Sequence, residues 1–506
     1  MARVRFSALF AVLLAVSLPA AAADPHGARY SRDASKIFWI LHIADSHIGT
    51  EWYNEDQRFA WALQDAVYII EPDLIVNGGD LCDGSINGIP ATGQSEGEWS
   101  LYRQVVDDSG MTVDYYIDLP GNHDLYGDPG SSFYLDWSLN GAAFGVTTRS
   151  LALEFAFGKY FIYGCSTPGE EGHVFVDDHE FSPAELEELE AELAANDDSR
   201  LTLVFGHHPP NQPDNSDQAL EIMKAHQAIY FHGHSHVYDE YIYNDLLTYE
   251  VDSIGKSKND NVAIIAVDND SVAYEVTDSD NPWPFIVITA PAEMRLKSGD
   301  PHPYAYPVGN TCEDNPVRAL VFDAAEVTAV TARLGDREEV ALEQDPQRPM
   351  LWTGTFDASD LGAGEAQFTV TATGSQERSR SITVLLDEDA LCAEDVEPDG
   401  GVEDGGDGDG EAGDGDDQLP DAVADADAGG DDAGGADDAG GYDAGGGDDA
   451  SVRTDEPFDE GGVASGGGCM CSSTGGTGIW CLIVLLLILR QRARRLPVEP
   501  RARQTG

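Results

Sequence analysis

The sequence predicts a layered α/β domain followed by a small all-β sandwich. From residue 36 to about 280, short apolar runs of strand length alternate with helical patterns, which is typical of α/β layers. From 285 to 390, short β-type runs are separated by turns and no long helix intervenes, as in a β-sandwich of roughly a hundred residues. Pro282, Pro284 and Pro291 mark the boundary between the two regions.

The elements of the first region follow from local patterns. Buried strands are predicted at Ile37–Ala44, Asp73–Asn77, Tyr115–Leu119, Phe161–Gly164, Leu201–Phe205 and Ile229–Phe231. The clearest helix is Pro183–Ala195, because Ser182 is an N-cap residue and Glu185 completes a capping box. Asn261–Val267 and Ser271–Val276 are predicted to pair as a hairpin.

The second region contains short β-type runs and two cysteines near its ends. The runs are Val317–Phe322, Val327–Ala332, Gln367–Thr373 and Ser381–Leu386. Cys312 and Cys392 bracket the region and could pair in an oxidising compartment. The pattern leaves this open, because Cys82 and Cys165 are also present and four cysteines allow three pairings.

The amino terminus predicts export. Arg3 and Arg5 precede the apolar run Phe6–Leu18, and Ala21-Ala22-Ala23 offers a small-residue cleavage site. Residues 1–23 are therefore typical of a secretory signal peptide. The alternative is a membrane anchor, which needs a longer apolar run.

The carboxyl-terminal region divides into a spacer and a short apolar segment. Residues 394–468 are mostly Gly, Asp and Ala, so we expect a solvated, disordered spacer rather than calcium-binding loops. Residues 469–495 hold a Cys motif, the apolar run Ile479–Leu489 and an Arg cluster, which together could form a marginal membrane span. This arrangement resembles the myxobacterial C-terminal sorting signal, which implies display at the cell surface. A simple tail anchor is the alternative.

The charge of the chain is strongly negative. It has 28 Lys and Arg against 92 Asp and Glu, a formal net charge of −64. The body from Asp24 to Leu391 holds −46 of this charge. Because binding to nucleic acids depends on Lys and Arg that replace counterions at phosphates, this charge disfavours a nucleic-acid polymer as partner.

Five polar blocks carry the chemistry, and each follows a predicted strand. They are Asp45-Ser46-His47, Gly79-Asp80-Leu81-Cys82-Asp83, Gly121-Asn122-His123-Asp124, Gly206-His207-His208 and Gly233-His234-Ser235-His236. Each block alone occurs often by chance. Together they indicate one site, because the carboxyl ends of strands in open α/β sheets form a ligand crevice. Mixed carboxylate and imidazole ligands suit manganese, iron or zinc.

In type and order, the five blocks resemble the signature of the calcineurin-like metallophosphoesterases. The resemblance covers about Ile37 to Val276 with no block missing. It implies a four-layer α/β/β/α sandwich with two divalent metal ions, Mn, Fe or Zn, between the sheets. It also implies hydrolysis of phosphomonoesters or phosphodiesters by a metal-activated hydroxide.

The resemblance also implies a role for each residue of the blocks. Seven side chains would be metal ligands: Asp45, His47 and His236 for the first ion, Asn122, His207 and His234 for the second, and Asp80 as the bridge. One carboxylate oxygen of Asp80 would face each ion. His123 would be the catalytic histidine, and Asp83 would fix its tautomer and keep it protonated. His208 would face either the substrate or the loop before Pro209-Pro210.

The whole layout, a phosphoesterase domain followed by an immunoglobulin-like domain, also resembles the transmembrane protein 62 group, with 316–386 as the matching stretch.

Two functions are open at this point. An exported phosphoesterase acting on small nucleotides, lipid head groups or phosphoproteins is one hypothesis. A surface-displayed module that holds metal with little activity is the other. The complete ligand set and the presence of His123 favour the enzyme.

Overall fold

The structure, a computed structural model, describes residues 30–50, 54–86, 89, 92–168, 179–257 and 259–393. The predicted signal peptide, the acidic spacer, the Cys motif, the apolar run and the Arg cluster lie outside these residues. Across the described ranges, no helix combines the length and apolar character that a membrane span requires.

The first region contains strands and helices in alternation, as predicted. Its strands are Ile37–Ile43 (β1), Leu74–Asn77 (β2), Tyr116–Asp118 (β3), Arg149–Phe155 (β4), Gly158–Gly164 (β5), Leu201–Phe205 (β6), Ile229–His232 (β7), Asp239–Tyr243 (β8), Leu246–Glu250 (β9), Val262–Asp268 (β10) and Ser271–Thr277 (β11). Its helices are Glu55–Trp61 (α1), Val67–Ile70 (α2), Glu96–Asp108 (α3), Ser132–Trp137 (α4), Leu139–Phe144 (α5), Pro183–Ala195 (α6) and Ser216–Ala225 (α7). A π-helical turn covers Ala62–Ala66, and a 3-10 turn covers His123–Leu125.

The strands form two mixed sheets. The first has the order β11-β10-β1-β2-β3, and the second has the order β4-β5-β6-β7-β9-β8. Strands β1, β2 and β3 are parallel to one another, as are β5, β6, β7 and β9. The carboxyl ends of parallel strands lie at the same edge of a sheet, so the loops that follow β1, β2 and β3 lie together, as do those after β6 and β7.

The side chains of β1 show why the layers stack. Trp39 and Leu41 belong to a core that also contains Phe59 and Trp99 from the helices α1 and α3. The intervening residues, such as Ile40, belong to a core shared with the second sheet. Because successive side chains of a strand point to opposite faces, β1 contacts helices on one face and the second sheet on the other.

The second sheet is covered in the same way. Tyr163 of β5 packs with Leu189 of α6 and Met223 of α7 on its outer face. The Ser182 hydroxyl accepts the backbone N–H of Glu185, whose carboxylate accepts the N–H of Ser182, so the predicted capping box starts α6. The order helices, sheet, sheet, helices confirms the predicted four-layer architecture.

The second region is built from strands. They are Phe285–Ala290 (β12), Val308–Gly309 (β13), Asn315–Phe322 (β14), Ala329–Leu334 (β15), Val340–Ala341 (β16), Glu343–Gln344 (β17), Leu351–Phe356 (β18), Gly364–Thr373 (β19) and Glu377–Asp387 (β20). Two sheets, β12-β14-β18-β17 and β13-β20-β19-β15-β16, enclose a common apolar core, which confirms the predicted β-sandwich.

Five strands of the sandwich were not predicted, namely the two-residue strands β13, β16 and β17 and the longer strands β12 and β18. Strand β12 lies between Pro284 and Pro291, and these prolines suggested a boundary rather than a strand. Strand β18 contains Gly354, which weakens its β-type pattern. Cys312 and Cys392 form a disulfide with their Cα atoms 5.7 Å apart, so one of the open pairings is realised.

The two regions share apolar contacts and one buried ion pair. Phe322 of β14 packs against Trp39 of β1. Nearby, Nε of Arg318 lies 2.7 Å from Oδ2 of Asp268, and its guanidinium also donates to the Ser31 carbonyl. The described residues of both regions cluster as one compact unit, so the predicted limits at 36–280 and 285–390 stay predictions.

We expect Arg318→Ala to lower the free energy of unfolding by about 3–5 kcal/mol, because Asp268 would keep a buried charge without its partner. Chemical denaturation measures this value. Arg333→Ala, which removes an exposed arginine on β15, is the control and should change stability by less than about 0.5 kcal/mol. Equal effects of the two variants would show that the ion pair contributes nothing.

Candidate metal centre

All five polar blocks meet at one place between the two sheets. The loops after β1, β2, β3, β6 and β7 bring together Asp45 and His47, Asp80 and Asp83, Asn122 and His123, His207, and finally His234 and His236. Each of these side chains is buried or half-buried. Strands that are far apart in the sequence therefore deliver every residue singled out by the sequence to one cluster.

A first group of ligand atoms consists of Asp45, His47 and His236. Nε2 of His236 lies 3.1 Å from Oδ1 of Asp45 and 3.1 Å from Nε2 of His47. Nε2 of His47 lies 3.6 Å from the same Asp45 oxygen. These are the three side chains that the sequence predicted for the first ion.

A second group surrounds Nε2 of His207. This atom lies 3.1 Å from Oδ1 of Asn122 and 3.3 Å from Nδ1 of His234. It also lies 3.2 Å from Oδ2 of Asp80. The three side chains predicted for the second ion are therefore adjacent as well.

Asp80 connects the two groups through a single oxygen. Its Oδ2 lies 3.2 Å from Nε2 of His207 and 3.5 Å from Nε2 of His47. Its Oδ1 accepts the backbone N–H of His123 at 2.9 Å. The prediction gave each carboxylate oxygen its own ion, whereas in the structure Oδ2 lies close to both ligand groups and Oδ1 is held by the backbone.

The separations within each group fit a shared cation. Two ligand atoms bound at about 2.1 Å to one ion lie about 3.0–3.4 Å apart at octahedral or tetrahedral angles. The Nε2 atoms of His47 and His236 lie 3.1 Å apart, and Nε2 of His207 lies 3.1 Å from Oδ1 of Asn122, so both pairs have such separations. Three polar atoms converge at the centre of each group, and one proton shared between two of them would leave the third without a partner. The donor set therefore suits two divalent cations.

Hydrogen bonds behind the site orient the ligand atoms. Nδ1 of His207 donates to the carbonyl of Gly78 at 3.0 Å, which turns Nε2 inward. The amide nitrogen of Asn122 donates to the Tyr126 hydroxyl at 2.8 Å, which turns its carbonyl oxygen toward His207. Outer partners of this kind fix the tautomer and the orientation of metal ligands.

The electrostatics of the site favour positive charge at its centre. Burial alone would raise the pKa of Asp45, yet the nearby imidazoles of His236 and His47 hold this pKa well below its usual range. Burial would lower the pKa of His207, whereas the carboxylates of Asp80 and Asp45 raise this pKa to about 10. A proton is thus attracted to the position that a cation would occupy.

The backbone of the site is strained. Asp45, His47, Asp80, His234 and His236 all have positive φ angles, between 43° and 73°. Such conformations cost of order 1–3 kcal/mol each in residues other than glycine, and they persist only where the surroundings enforce them. This strain at five of the seven predicted ligands is typical of a functional site.

Glycines allow the ligand-bearing loops to approach one another closely. A Cβ atom on Gly121 would overlap the Asp80 carboxylate, and one on Gly233 would overlap that of Asp45. Each glycine directly precedes a predicted ligand, Asn122 or His234. The glycines of these blocks are therefore needed for the packing of the ligand loops against one another.

His123 and Asp83 are neighbours, but their contact differs from the one expected. Nδ1 of His123 donates to the backbone carbonyl of Asp83 at 2.8 Å, whereas the Asp83 carboxylate is 3.8 Å away. Burial lowers the pKa of His123 to about 3, which contrasts with the expectation of a protonated ring. The tautomer is fixed by a main-chain oxygen rather than by the acid.

His208 lies beside the second group rather than over the proline loop. Its ring centroid is 4.5 Å from that of His234, and its Nδ1 is 2.9 Å from Oγ1 of Thr167. The same Thr167 oxygen accepts the N–H groups of His207 and His208. Thr167, which carried no signal in the sequence, therefore fixes this loop.

Sequence reasoning also missed the roles of Asp124 and Lys256. The buried Asp124 carboxylate accepts three backbone N–H groups, those of Leu81, Cys82 and Gly121, and so joins two of the polar blocks. Its position directly after His123 was the available signal. The Lys256 ammonium lies 2.9 Å from Oδ1 of Asp83, although Lys256 belongs to none of the blocks.

Comparison with known proteins relates this part of the chain to one family. Residues 38–238 match the family model of the calcineurin-like phosphoesterases. This part of the chain is similar to the calcineurin-like phosphoesterases. Transmembrane protein 62 of Mus musculus is 24% identical to the chain over 335 residues, which cover 62% of this chain and 50% of that protein. A candidate metallophosphoesterase of Arabidopsis thaliana is 27% identical over 259 residues, 46% of this chain and 35% of that protein.

The chain therefore matches at most half the length of these two relatives. Among solved structures, purple acid phosphatase PPD1 from yellow lupin (Lupinus luteus) aligns with a TM-score of 0.34 and 13% identity, over 50% of this chain and 53% of that one. The likeness of residues 38–238 to phosphoesterases therefore depends on the family match and on the geometry of the site.

We expect Asp80→Asn to weaken the binding of divalent metal ions at both ligand groups, because one oxygen of Asp80 faces both of them. Calorimetric titration of the metal-free protein with Mn²⁺ measures each affinity. Asp278→Asn, at an exposed turn after β11, is the matched control. Two tight Mn²⁺ sites in Asp80→Asn would contradict the bridging assignment.

Proposed function

We propose that the protein is an exported binuclear-metal phosphoesterase that hydrolyses phosphomonoesters or phosphodiesters. The observation that carries the proposal is the position of the Asp80 Oδ2 atom within 3.5 Å of both His47 Nε2 and His207 Nε2. One carboxylate oxygen thereby joins two groups of metal-ligating side chains, as a binuclear site requires. The match to the calcineurin-like phosphoesterases supports a phosphoester substrate.

Each predicted ligand has a place in this proposal. Asp45, His47 and His236 would hold one divalent ion, Asn122, His207 and His234 would hold the other, and Asp80 would touch both. When bound, such ions lower the pKa of a coordinated water and neutralise charge on a phosphoryl group. The side chains fit Mn, Fe or Zn, since they combine imidazole nitrogen with carboxylate and amide oxygen.

His123 would act on the leaving group. Its Nδ1 is committed to the Asp83 carbonyl, and its Nε2 lies 3.9 Å from Oδ2 of Asp80, on the side of the ligand groups. Nε2 is therefore the atom that would face the leaving oxygen, and the negative charge of a bound phosphoester would favour the protonated ring that can donate to it. Asp83 would orient His123 chiefly through its main chain.

The cellular setting and the substrate are proposed from the sequence. Residues 1–23 support export, and residues 469–495 support a position at the cell envelope or surface, through sorting or a membrane anchor. The −46 charge of the body disfavours long nucleic acids as substrates, which leaves small nucleotides, lipid head groups and phosphoproteins as the candidates. The sandwich would serve a partner that the sequence does not identify.

The test combines metal analysis with a substrate panel. The purified protein is analysed for bound metal and then assayed, with Mn²⁺, Fe²⁺ or Zn²⁺, on aryl monoesters, aryl diesters, cyclic nucleotides and phospholipids. We expect two metal ions per chain and turnover of at least one class. Two bound ions without hydrolysis of any class would favour a metal-holding module, and no bound metal would refute the site.

We expect His123→Ala to lower turnover by about 10²–10⁴-fold while both ions stay bound, because this histidine is not among the ligand groups. Steady-state kinetics on the best substrate of the panel and metal analysis measure the two effects. His226→Ala is the control. His226 follows the last residue of α7, outside the ligand groups, and pairs with Asp197. Normal turnover of His123→Ala would exclude the catalytic role.

A further inference from the structure

Lys256 reaches the site from a loop outside the five polar blocks. The loop follows β9, and the Lys256 ammonium lies 2.9 Å from Oδ1 of Asp83. The Lys256 side chain is 17% exposed and that of Asp83 is 1% exposed. A lysine that is mostly buried against a fully buried carboxylate calls for an explanation, because both charges lose hydration.

The loop that carries Lys256 is attached to the loop that carries Asp45. The Ser253 hydroxyl and the N–H of Gly255 both donate to the carbonyl of Asp45, at 2.9 and 3.0 Å. The N–H of Lys256 itself donates to the Ser253 hydroxyl at 2.8 Å. A Cβ atom on Gly255 would clash with the carbonyl of Ser46, so the contact is as close as a backbone allows. The backbone thus sets the position of Lys256 independently of its side chain.

The Asp83 carboxylate lies between Lys256 and His47. Its Oδ1 lies 3.3 Å from Nδ1 of His47, and its Oδ2 accepts the Ser85 hydroxyl at 2.7 Å. Among the residues that the structure describes, no aligned hydrogen bond reaches Oδ1 or the His47 Nδ1. Oδ1 is therefore held by charge, and the Lys256 ammonium is the nearest permanent positive charge among its described contacts.

We infer that Lys256 is a positioning residue that acts through Asp83 on His47. This inference rests on the proposed function, because it takes His47 as a metal ligand and explains what holds the ring nitrogen that faces away from the ligand groups. Nε2 of His47 faces the ligand groups, whereas Asp83 contacts the opposite ring nitrogen, Nδ1. Lys256 holds the carboxylate against this nitrogen, and the carboxylate holds the ring in the orientation that presents Nε2.

The position of Lys256 distinguishes this role from direct contact with a substrate. A phosphoryl group would bind where Nε2 of His47 and Oδ2 of Asp80 converge. The Lys256 ammonium instead contacts the carboxylate on the Nδ1 side of His47. Loss of its charge is therefore expected to affect metal affinity and kcat, and to leave KM nearly unchanged.

The first experiment measures Mn²⁺ binding to the full-length, metal-free protein by calorimetry. Lys256→Met, which keeps the length and loses the charge, should weaken one of the two Mn²⁺ sites by about 10–100-fold, as is typical for outer partners of metal ligands. Lys256→Arg should stay within about 3-fold of the wild type, because it keeps the charge. Lys159→Met, which breaks the ion pair with Asp198 on the surface, is the matched control and should bind as the wild type does.

A double-mutant cycle tests the route through Asp83. If Lys256 acts through this carboxylate, Lys256→Met adds less than about 3-fold to the effect of Asp83→Asn. Multiplied effects of the two substitutions, a raised KM with normal kcat, or wild-type Mn²⁺ affinity in Lys256→Met would each overturn the inference. If Lys256→Met loses the wild-type circular dichroism spectrum, Lys256→Gln replaces it under the same criteria. Wild-type Mn²⁺ affinity in Asp83→Asn alone would also overturn the inference.

Metal binding is measured separately from hydrolysis, so the two proposals can fail separately. A wild-type protein that binds two Mn²⁺ ions but hydrolyses no substrate refutes the proposed function and leaves the Lys256 effect on affinity measurable. Normal hydrolysis by the wild type with unchanged Mn²⁺ binding in Lys256→Met refutes only the role of Lys256.

Discussion

Three carboxylates buried side by side, those of Asp45, Asp80 and Asp83, set the constraint on which the site depends. A buried charge is costly unless opposite charge and hydrogen bonds compensate it. Imidazoles surround the first two carboxylates, and the Lys256 ammonium lies against the third. The two proposed cations would supply the remaining positive charge, which gives a physical reason for the close approach of so many acidic groups inside a core.

The fold meets this constraint by placing strained loops on rigid sheets. Five of the predicted ligands have left-handed backbone conformations, which need tight surroundings to persist. Hydrogen bonds to the loop backbone supply these surroundings. Asp124 joins the loops after β2 and β3, and Thr167 holds the loop after β6. Precision at a binding site generally depends on such outer contacts, because they restrict each side chain to one orientation. The sandwich shares an apolar core with the helical face of the first sheet.

Single acidic residues of the site use different oxygen atoms for different contacts. Asp80 uses Oδ1 for the backbone of His123 and Oδ2 for both ligand groups. Asp83 uses its main-chain carbonyl for His123 and its carboxylate for His47 and Lys256. Such division lets a few residues fix the geometry of two neighbouring histidines, and it explains why the site needs an acid three residues after Asp80.

The sequence alone determined the elements and the membership of the site. The capping box that starts α6 and the runs that became β1 and β6 depend on neighbouring residues, so local patterns predicted them. The five blocks were visible because each follows a strand. The tertiary structure decided what depends on packing: the strand β12 between prolines, the position of one Asp80 oxygen close to both ligand groups, and the contact of Lys256 with Asp83. Lys256 and Asp83 are distant in the sequence, and no local propensity specifies which loops will meet when two sheets stack.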